Sequence, residues 1–174
     1  MRELAKITAR LQVDNSKGIM IIKAIWQRES SDIEDDFIPV LLKENRRMLT
    51  CRACYGGESL ITTMLLNPSV AGHPEEERLL EYHWDNKWHI FNEQEVTEFI
   101  DDVGDNNPIH RGDKAVVPGF LLMEKIKDKL PKNISRLALS FRNAVRLGDP
   151  LYFDIQAGKV NIMGRKEFIT GTYE

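Results

Sequence analysis

Short apolar stretches separated by polar turn residues occupy the first 70 residues of the chain. β-Branched and aromatic side chains are frequent in these stretches, and clusters of Gly, Asn, Asp and Ser bound them, which is the pattern of β-strands. The pattern predicts five strands, at residues 5–13, 19–27, 37–43, 47–55 and 60–66. The pair Gly56-Gly57 predicts a hairpin turn before the last of them. We expect the five strands to follow one another as an antiparallel meander.

The second half of the chain changes to helical spacing in two places. Apolar residues recur every three to four positions between Asn92, a capping residue, and Gly104, which can end a helix. The same spacing recurs in residues 120–130, where an apolar stripe begins at Leu122, and Pro131 follows the last turn. Three strands are predicted after this helix, at residues 135–141, 151–157 and 166–173, with residues 159–163 as an early start of the last strand.

A connector separates the two halves. Pro, Ser, Gly and three successive glutamates replace the strand pattern after residue 66, which indicates a linking segment with a short helix at residues 74–82. The chain therefore divides into a strand-rich half at residues 1–70, a connector at residues 71–87 and a second half at residues 88–174. The second half alone has too few strands to wrap a helix, so we expect the first half to complete the sheet.

Composition narrows the classes of function. The 174 residues suffice for a core without disulfides, and the formal net charge of −3 provides no basic field for nucleic acid. No apolar run approaches the roughly 18 residues of a membrane span, and the N-terminal residues lack the apolar core of a secretory signal, so a cytoplasmic protein is expected. Cys51 and Cys54 have the spacing of a redox pair or half a metal site. They lie in a predicted strand, which favours structural thiols, and we expect no metal or other cofactor.

One short loop carries the candidate chemistry. Asp105 and His110 lie five residues apart, and Pro108 between them stiffens the turn. The predicted helix that follows opens at Gly119, where unpaired backbone N–H groups can bind an oxygen that becomes negatively charged. Asp105 or Glu124, together with His110, can move protons beside such an oxygen. By composition alone the same loop also fits an ordinary turn.

A family resemblance favours the catalytic interpretation. The segment Gly-Asp-Asn-Asn-Pro-Ile-His at residues 104–110 resembles the Gly-Asp-x-Asn-Pro-x-His signature of MaoC-like (R)-specific enoyl-thioester hydratases. The continuation is similar to the β-hydroxyacyl-(acyl carrier protein) dehydratases, in which Pro-Gly and then an acid follow the histidine, here at Pro118, Gly119 and Glu124. Residues 141–151 resemble the Phe-x-x-x-Val-x-x-Gly-Asp strand and turn of both families. The resemblance covers the second half of the chain.

The resemblance implies an α+β hot-dog fold, in which a curved antiparallel sheet wraps around a long central helix. Residues 1–70 are then either a degenerate second hot-dog module without a helix, which we favour, or extra strands of the same sheet. Hot-dog subunits commonly pair across their sheets, so a homodimer is expected, although a fused half-module would fill the partner's place within one chain.

The implied reaction is the reversible hydration of trans-2-enoyl thioesters to (R)-3-hydroxyacyl thioesters of coenzyme A or acyl carrier protein, in fatty acid or polyketide-type metabolism. The candidate catalytic residues are Asp105, His110 and Glu124, with Asp105 favoured over Glu124 as the partner of His110. The candidate substrate-binding residues are Asn107, Pro118, Gly119 and Phe120. Of these, Gly119 would donate its amide to the thioester oxygen, and Asn107 would orient a side chain or the water. The alternatives are an acyl thioesterase that depends on Glu124, and an acyl-binding partner without catalysis.

Overall fold

The computed structural model describes residues 1–11, 13, 18–30, 33–68, 87–112 and 114–174. In this part of the chain the helices are α1 (Arg2–Ala9), α2 (Glu93–Val103) and α3 (Gly119–Lys129), with a single 3-10 turn at Pro108–His110. The strands are β1 (Ile19–Arg28), β2 (Val40–Glu44), β3 (Met48–Tyr55), β4 (Glu58–Leu66), β5 (Lys87–His89), β6 (Arg136–Phe141), β7 (Leu151–Gln156), β8 (Lys159–Met163) and β9 (Glu167–Tyr173).

All nine strands belong to one antiparallel sheet in the order β2-β3-β4-β1-β6-β9-β8-β7-β5. The long strand β1 lies near the middle, with β4 on one side and β6 on the other. Trp26 in β1 shows this double pairing, because it faces Leu60 in β4 and Leu137 in β6. The two halves of the chain are therefore joined by backbone hydrogen bonds along β1 and β6, and the expectation that the first half completes the sheet is confirmed.

The two halves repeat one order of elements. Helix α1 precedes β1 to β4, and helix α3 precedes β6 to β9. In the sheet, the order β2-β3-β4-β1 is mirrored by β6-β9-β8-β7, so that equivalent strands lie at equal distances from the β1–β6 junction. This repeat is what two related modules joined edge to edge would give. It differs from the predicted helix-less first half, because the described first half contains α1.

The core lies between the sheet and the helices. Leu122, Ile126 and Leu130, the predicted stripe of the central helix, are all buried. They share one apolar cluster with inward-facing residues of both halves of the sheet, including Trp26 and Leu139. At about 25 cal/mol per Å² of buried apolar area, this shared core is the main force that holds the helices on the sheet.

The prediction of a first strand at residues 5–13 is wrong, because α1 covers residues 5–9 of that segment. The buried residues of α1 are Leu4, Ala5, Ile7 and Thr8. Their spacing places them on one face of a helix, whereas in a strand they would point to both faces of the sheet. In so short a segment the two apolar patterns overlap, which is why the strand interpretation failed.

Two further predictions about the sheet need correction. The meander holds for β2, β3 and β4, but β1 does not pair with β2, because its two edges are occupied by β4 and β6. The segment 159–163 is a separate strand, β8, and not the start of the last one. The remaining strands match their predicted positions closely, and the helix predicted at residues 74–82 lies outside the described residues, as does most of the connector.

Candidate active site

The end of α2 determines where Asp105 lies. Gly104 follows the helix in a left-handed conformation, with φ 71° and ψ 32°, which a residue without a side chain adopts at little cost. The backbone N–H of Asp105 donates to the Ile100 carbonyl at 2.9 Å and so terminates the helix. Asn107 N–H then donates to Asp105 Oδ1 at 2.9 Å, which turns the chain into Pro108. The carboxyl group is thereby held at a defined position beside the turn.

Asn107 clamps this loop to the beginning of β1. Its Nδ2 donates to the Ile19 carbonyl at 2.6 Å, and the Ile19 N–H donates to its Oδ1 at 3.1 Å. The same Nδ2 lies 3.2 Å from His110 Nε2. Both amide hydrogens of this buried side chain therefore have a protein acceptor. Asn107 thus orients His110 and joins the loop to the first half of the chain.

His110 is buried, with 8% of its surface exposed, and the tautomer of its ring follows from its partners. Nδ1 lies 2.6 Å from the carbonyl oxygen of Val116. A carbonyl can only accept, so the proton of the neutral ring is on Nδ1, and Nε2 keeps its lone pair and accepts from Asn107. The Nε2 atom is therefore the basic atom of this side chain.

Asp105 is the charged neighbour of this ring. Its Oδ2 lies 3.5 Å from His110 Nε2, which is longer than a good hydrogen bond. Burial lowers the pKa of His110 below its ordinary value, against the opposing effects of Asp105 and of the Val116 carbonyl, while Arg111 lowers it further. At neutral pH the ring is consequently uncharged and able to accept a proton.

The first turn of α3 forms the opposite side of the site. Pro118 precedes the helix, and the first intrahelical hydrogen bond runs from Leu122 N–H to the Pro118 carbonyl at 3.1 Å. The N–H groups of Gly119 and Phe120 precede that bond and have no intrahelical acceptor. A side chain on Gly119 would place its Cβ 3.1 Å from Ile21 Cδ1, which is closer than ordinary contact, so glycine allows β1 to approach the helix start. The helix thus offers two amides and its positive dipole end to a ligand.

A cavity of about 250 Å³ joins these parts. Asp105, Asn107 and His110 line it from the loop, and Pro118, Gly119 and Phe120 line it from the helix start. The structure therefore brings six of the seven candidate site residues together around one space. Residues of α1 and of the beginning of β1 line the remainder, including Ala5, Thr8 and Ile21.

Glu124 is the one candidate residue that the chain does not bring to this cavity. Its carboxylate lies in a different crevice and pairs with Arg2, whose Nε and Nη2 both lie 3.1 Å from Oε1. Arg2 also reaches Asp102 at 3.0 Å, so these groups tie α1 to α2 and α3. Within one chain, Asp105 and not Glu124 lies beside His110.

Sequence reasoning missed several groups that form the site. Val116 contributes only a backbone oxygen, which leaves no signal in residue type. Ile19 likewise binds Asn107 through its backbone. Ala5 and Thr8 belong to the segment that the sequence predicts as a strand, and their place in the cavity wall depends on the helical conformation of α1. The apolar spacing of residues 4, 5, 7 and 8 is the signal that a helical interpretation would have used.

Neither the cysteines nor a cluster of metal ligands forms a second reactive site in the described residues. Cys51 and Cys54 are buried and unpaired with each other, and burial raises the pKa of the Cys51 thiol to about 11, which makes it a poor nucleophile. No group of three or more potential metal ligands occurs among the residues that the structure describes. In the same residues, no helix has the length and apolar character needed to cross a membrane.

The architecture is the α+β hot-dog fold of MaoC-like proteins, as predicted. Solved structures that are similar to this chain include three from different organisms. HtdX from Mycobacterium tuberculosis has a TM-score of 0.62 at 17% identity, over 90% of this chain and 76% of HtdX. A MaoC-like dehydratase from Phytophthora capsici has a TM-score of 0.54 at 10% identity, over 95% of this chain and 72% of the other.

The third similar structure is the peroxisomal multifunctional enzyme type 2 from Drosophila melanogaster, with a TM-score of 0.52 at 12% identity. The match covers 95% of this chain but 38% of that larger enzyme. Neither a protein-family model nor a curated protein matches the sequence. At these identities the likeness establishes the fold, and the chemistry must be argued from the site.

Proposed function

We propose that this protein catalyses the reversible hydration of trans-2-enoyl thioesters to (R)-3-hydroxyacyl thioesters. The observation that supports the proposal is the single cavity lined by Asp105, His110 and the first turn of α3. A proton acceptor, a carboxyl group and two amide donors around one space are the parts that this reaction needs. The thioester carrier is coenzyme A or an acyl carrier protein.

In the hydration direction, water binds in the cavity beside Asp105 and His110. The Asp105–His110 pair takes a proton from the water while the water oxygen forms a bond to C3 of the substrate. The C=C π electrons move to Cα and the carbonyl, and a proton from the Asp105–His110 pair then bonds to Cα. Dehydration is the same sequence in reverse. The neutral ring of His110 supports this shared role, because the ring can take up a proton at neutral pH.

The thioester oxygen gains negative charge when the substrate becomes an enolate. Gly119 and Phe120 line the cavity at the positive end of α3, and their N–H groups donate to that oxygen in the proposed reaction. Removing one such donor from an enzyme typically lowers turnover by about 10²–10³. Asn107 acts as a positioning residue, since its amide is occupied by Ile19 and His110.

The position of Glu124 argues against the thioesterase alternative. That reaction would need an acid of the central helix to activate water at the substrate carbonyl, and Glu124 instead pairs with Arg2 outside the cavity. We further propose that the first half of the chain is a second hot-dog module with the short helix α1. It takes the place that a second subunit would fill, so one chain contains a complete site, and a homodimer stays a prediction.

The test is incubation of the purified protein with crotonyl and longer enoyl thioesters. We expect the enoyl absorbance to fall without release of free thiol, and chiral analysis to identify the (R)-3-hydroxyacyl product. Release of thiol would instead identify a thioesterase. No change in either signal, with substrate bound, would identify an acyl-binding protein without this activity.

A further inference from the structure

One edge of the sheet is open and apolar. Strand β2 is the outermost strand on the side of the first half, and it pairs only with β3 in the described part of the chain. It and the bend before it carry five large apolar residues whose surfaces are 41–78% exposed: Phe37, Ile38, Val40, Leu41 and Leu42. An open edge of this kind is a template for a strand of another chain. We refer to residues 37–44 as the β2 edge.

The opposite edge of the sheet is partly covered. There the short strand β5 pairs with the beginning of β7. In the repeat of the two halves, β7 is the counterpart of β2, because both are the fourth strand from the β1–β6 junction. The second half therefore has a strand beyond this position, and the first half has none among the residues that the structure describes. The place beside β2 is thus open to a strand from another molecule.

Contacts within the chain hold the β2 edge in a defined conformation. Arg10 Nη1 donates to the Phe37 carbonyl at 2.7 Å, and the Arg10 guanidinium lies 4.5 Å from the centre of the Phe37 ring. Asp36 is fixed to β3 by two hydrogen bonds, from its N–H to the Cys54 carbonyl at 2.8 Å and from Cys54 N–H to its Oδ2 at 2.7 Å. Little conformational freedom is therefore lost when a partner binds, which favours association.

The charges at the two ends of the β2 edge have opposite signs. Glu34 and Asp35 precede it, Arg46 and Arg47 follow it, and all four are exposed. Glu34 and both arginines form no ion pair with the described residues, and the two charged residues of β2 itself have opposite signs. An antiparallel pair of identical strands places the acidic end of each copy beside the basic end of the other, whereas a parallel pair places like charges together. The charge distribution therefore matches a second copy of this chain in the antiparallel orientation.

The exposed surface is large enough for a weak dimer. A large apolar residue has on the order of 150–200 Å² of accessible surface, so the five residues of the β2 edge expose about 450 Å² at their observed fractions. Two copies together bury roughly 900 Å² of apolar surface, and the backbone of β2 and the charged ends add to that area. Specific interfaces begin at about 1,000–1,200 Å² in total, so we expect a dissociation constant of micromolar order.

We propose that two copies of this chain associate through the β2 edge as an antiparallel strand pair, which continues the sheet across a two-fold axis. This surface is separate from the candidate active site, because none of residues 34–47 lines the cavity. The contact between copies therefore does not depend on the proposed reaction. Because each chain has one β2 edge and its other edge is partly covered by β5, association ends at two copies.

Sedimentation of the full chain tests the proposal, at concentrations from about 1 to about 200 µM, which bracket a micromolar dissociation constant. We expect the mass to rise from that of one chain to that of two. Amide hydrogen exchange at both ends of this range locates the contact, and protection that appears only at high concentration should lie in the β2 edge. A single chain at the highest concentration, growth beyond two copies, or new protection outside the β2 edge would overturn the proposal.

A pair of variants tests the apolar part of the contact. Leu42→Lys places a charge on the β2 edge, and the two-fold axis repeats it in both copies, so the dimer should weaken about 30-fold or more. Ile155→Lys is the matched control, because Ile155 is an exposed aliphatic residue in β7, at the opposite side of the sheet. It should associate as the wild type does. Equal dissociation constants for the two variants, with both folded in circular dichroism, would refute the proposed contact.

A charge exchange tests the antiparallel orientation. Arg47→Glu and Glu34→Lys each place like charges together at both ends of the pair, so each should weaken the dimer about tenfold. In an equimolar mixture of the two variants, acidic and basic ends again meet at both ends. Mixed dimers should therefore form with a dissociation constant within about threefold of the wild type. Mixed dimers no stronger than those of the separate variants would contradict the antiparallel pair.

Discussion

Asn107→Ala tests whether the clamp on β1 holds the catalytic loop in place. The substitution removes three hydrogen bonds, to Ile19 N–H, to the Ile19 carbonyl and to His110 Nε2. A typical net contribution is about 1 kcal/mol per bond, so the free energy of unfolding should fall by about 3 kcal/mol. For a domain whose total stability is of the order of 5–15 kcal/mol, this is a large loss.

Urea unfolding provides the assay. With an m-value of about 2 kcal/mol per molar, the midpoint should fall by roughly 1.5 M at unchanged m. Asn106→Ala is the matched control, because Asn106 is the adjacent residue, exposed, and makes no side-chain hydrogen bond within the described part of the chain. It should change stability by less than about 0.5 kcal/mol. Equal midpoints for the two variants would refute the proposed clamp.

Three further predictions test the site from different directions. The pKa of His110, followed by NMR, should lie below 6.5, fall further in Asp105→Asn and rise in Arg111→Gln, since the carboxylate raises it and the guanidinium lowers it. Unfolded histidine takes up its proton near pH 6.5, and folded His110 does so only at lower pH. The free energy of unfolding should therefore decrease as the pH falls from 6.5 towards the pKa of folded His110. A His110 pKa above 6.5 would contradict the neutral ring. Gly119→Ala should cost about 1–3 kcal/mol by crowding Ile21 of β1, and it should lower turnover at least tenfold by displacing the helix start; wild-type values of both would show that this close approach does not position the site. Glu124→Gln should cost less than about 1 kcal/mol and leave turnover within twofold, whereas a tenfold loss would return this acid to the chemistry.

Local patterns in the sequence were sufficient for the parts of the fold that depend on local chemistry. The cap at Asn92, whose side chain accepts from Glu95 N–H, and the end at Gly104 defined α2 to within a residue. The stripe from Leu122 and the stop at Pro131 did the same for α3. The loop between them could be singled out because its residue types, above all Asp105 and His110, are those of a known signature.

The features of the site and of α1 that could not be predicted from the sequence depend on contacts between distant segments. Ile19 lies 88 residues from Asn107, and their two hydrogen bonds join groups that no local pattern connects. Glu124 has the spacing of a catalytic acid, but its carboxylate forms an ion pair with Arg2, which lies 122 residues away in the sequence. The helical nature of α1 depends on burial of one face against α2, α3 and β3, which eight residues alone do not specify.

The rate of crotonyl thioester hydration by Asp105→Asn and His110→Ala, compared with wild type and with the control Glu124→Gln outside the cavity, tests the central claim most directly. A general acid–base residue typically contributes about 10²–10⁴ to the rate. We predict losses of that size for both variants, with folding retained in circular dichroism and with the control close to wild type. Wild-type rates in both variants would show that the cavity beside α3 is not the site of the reaction.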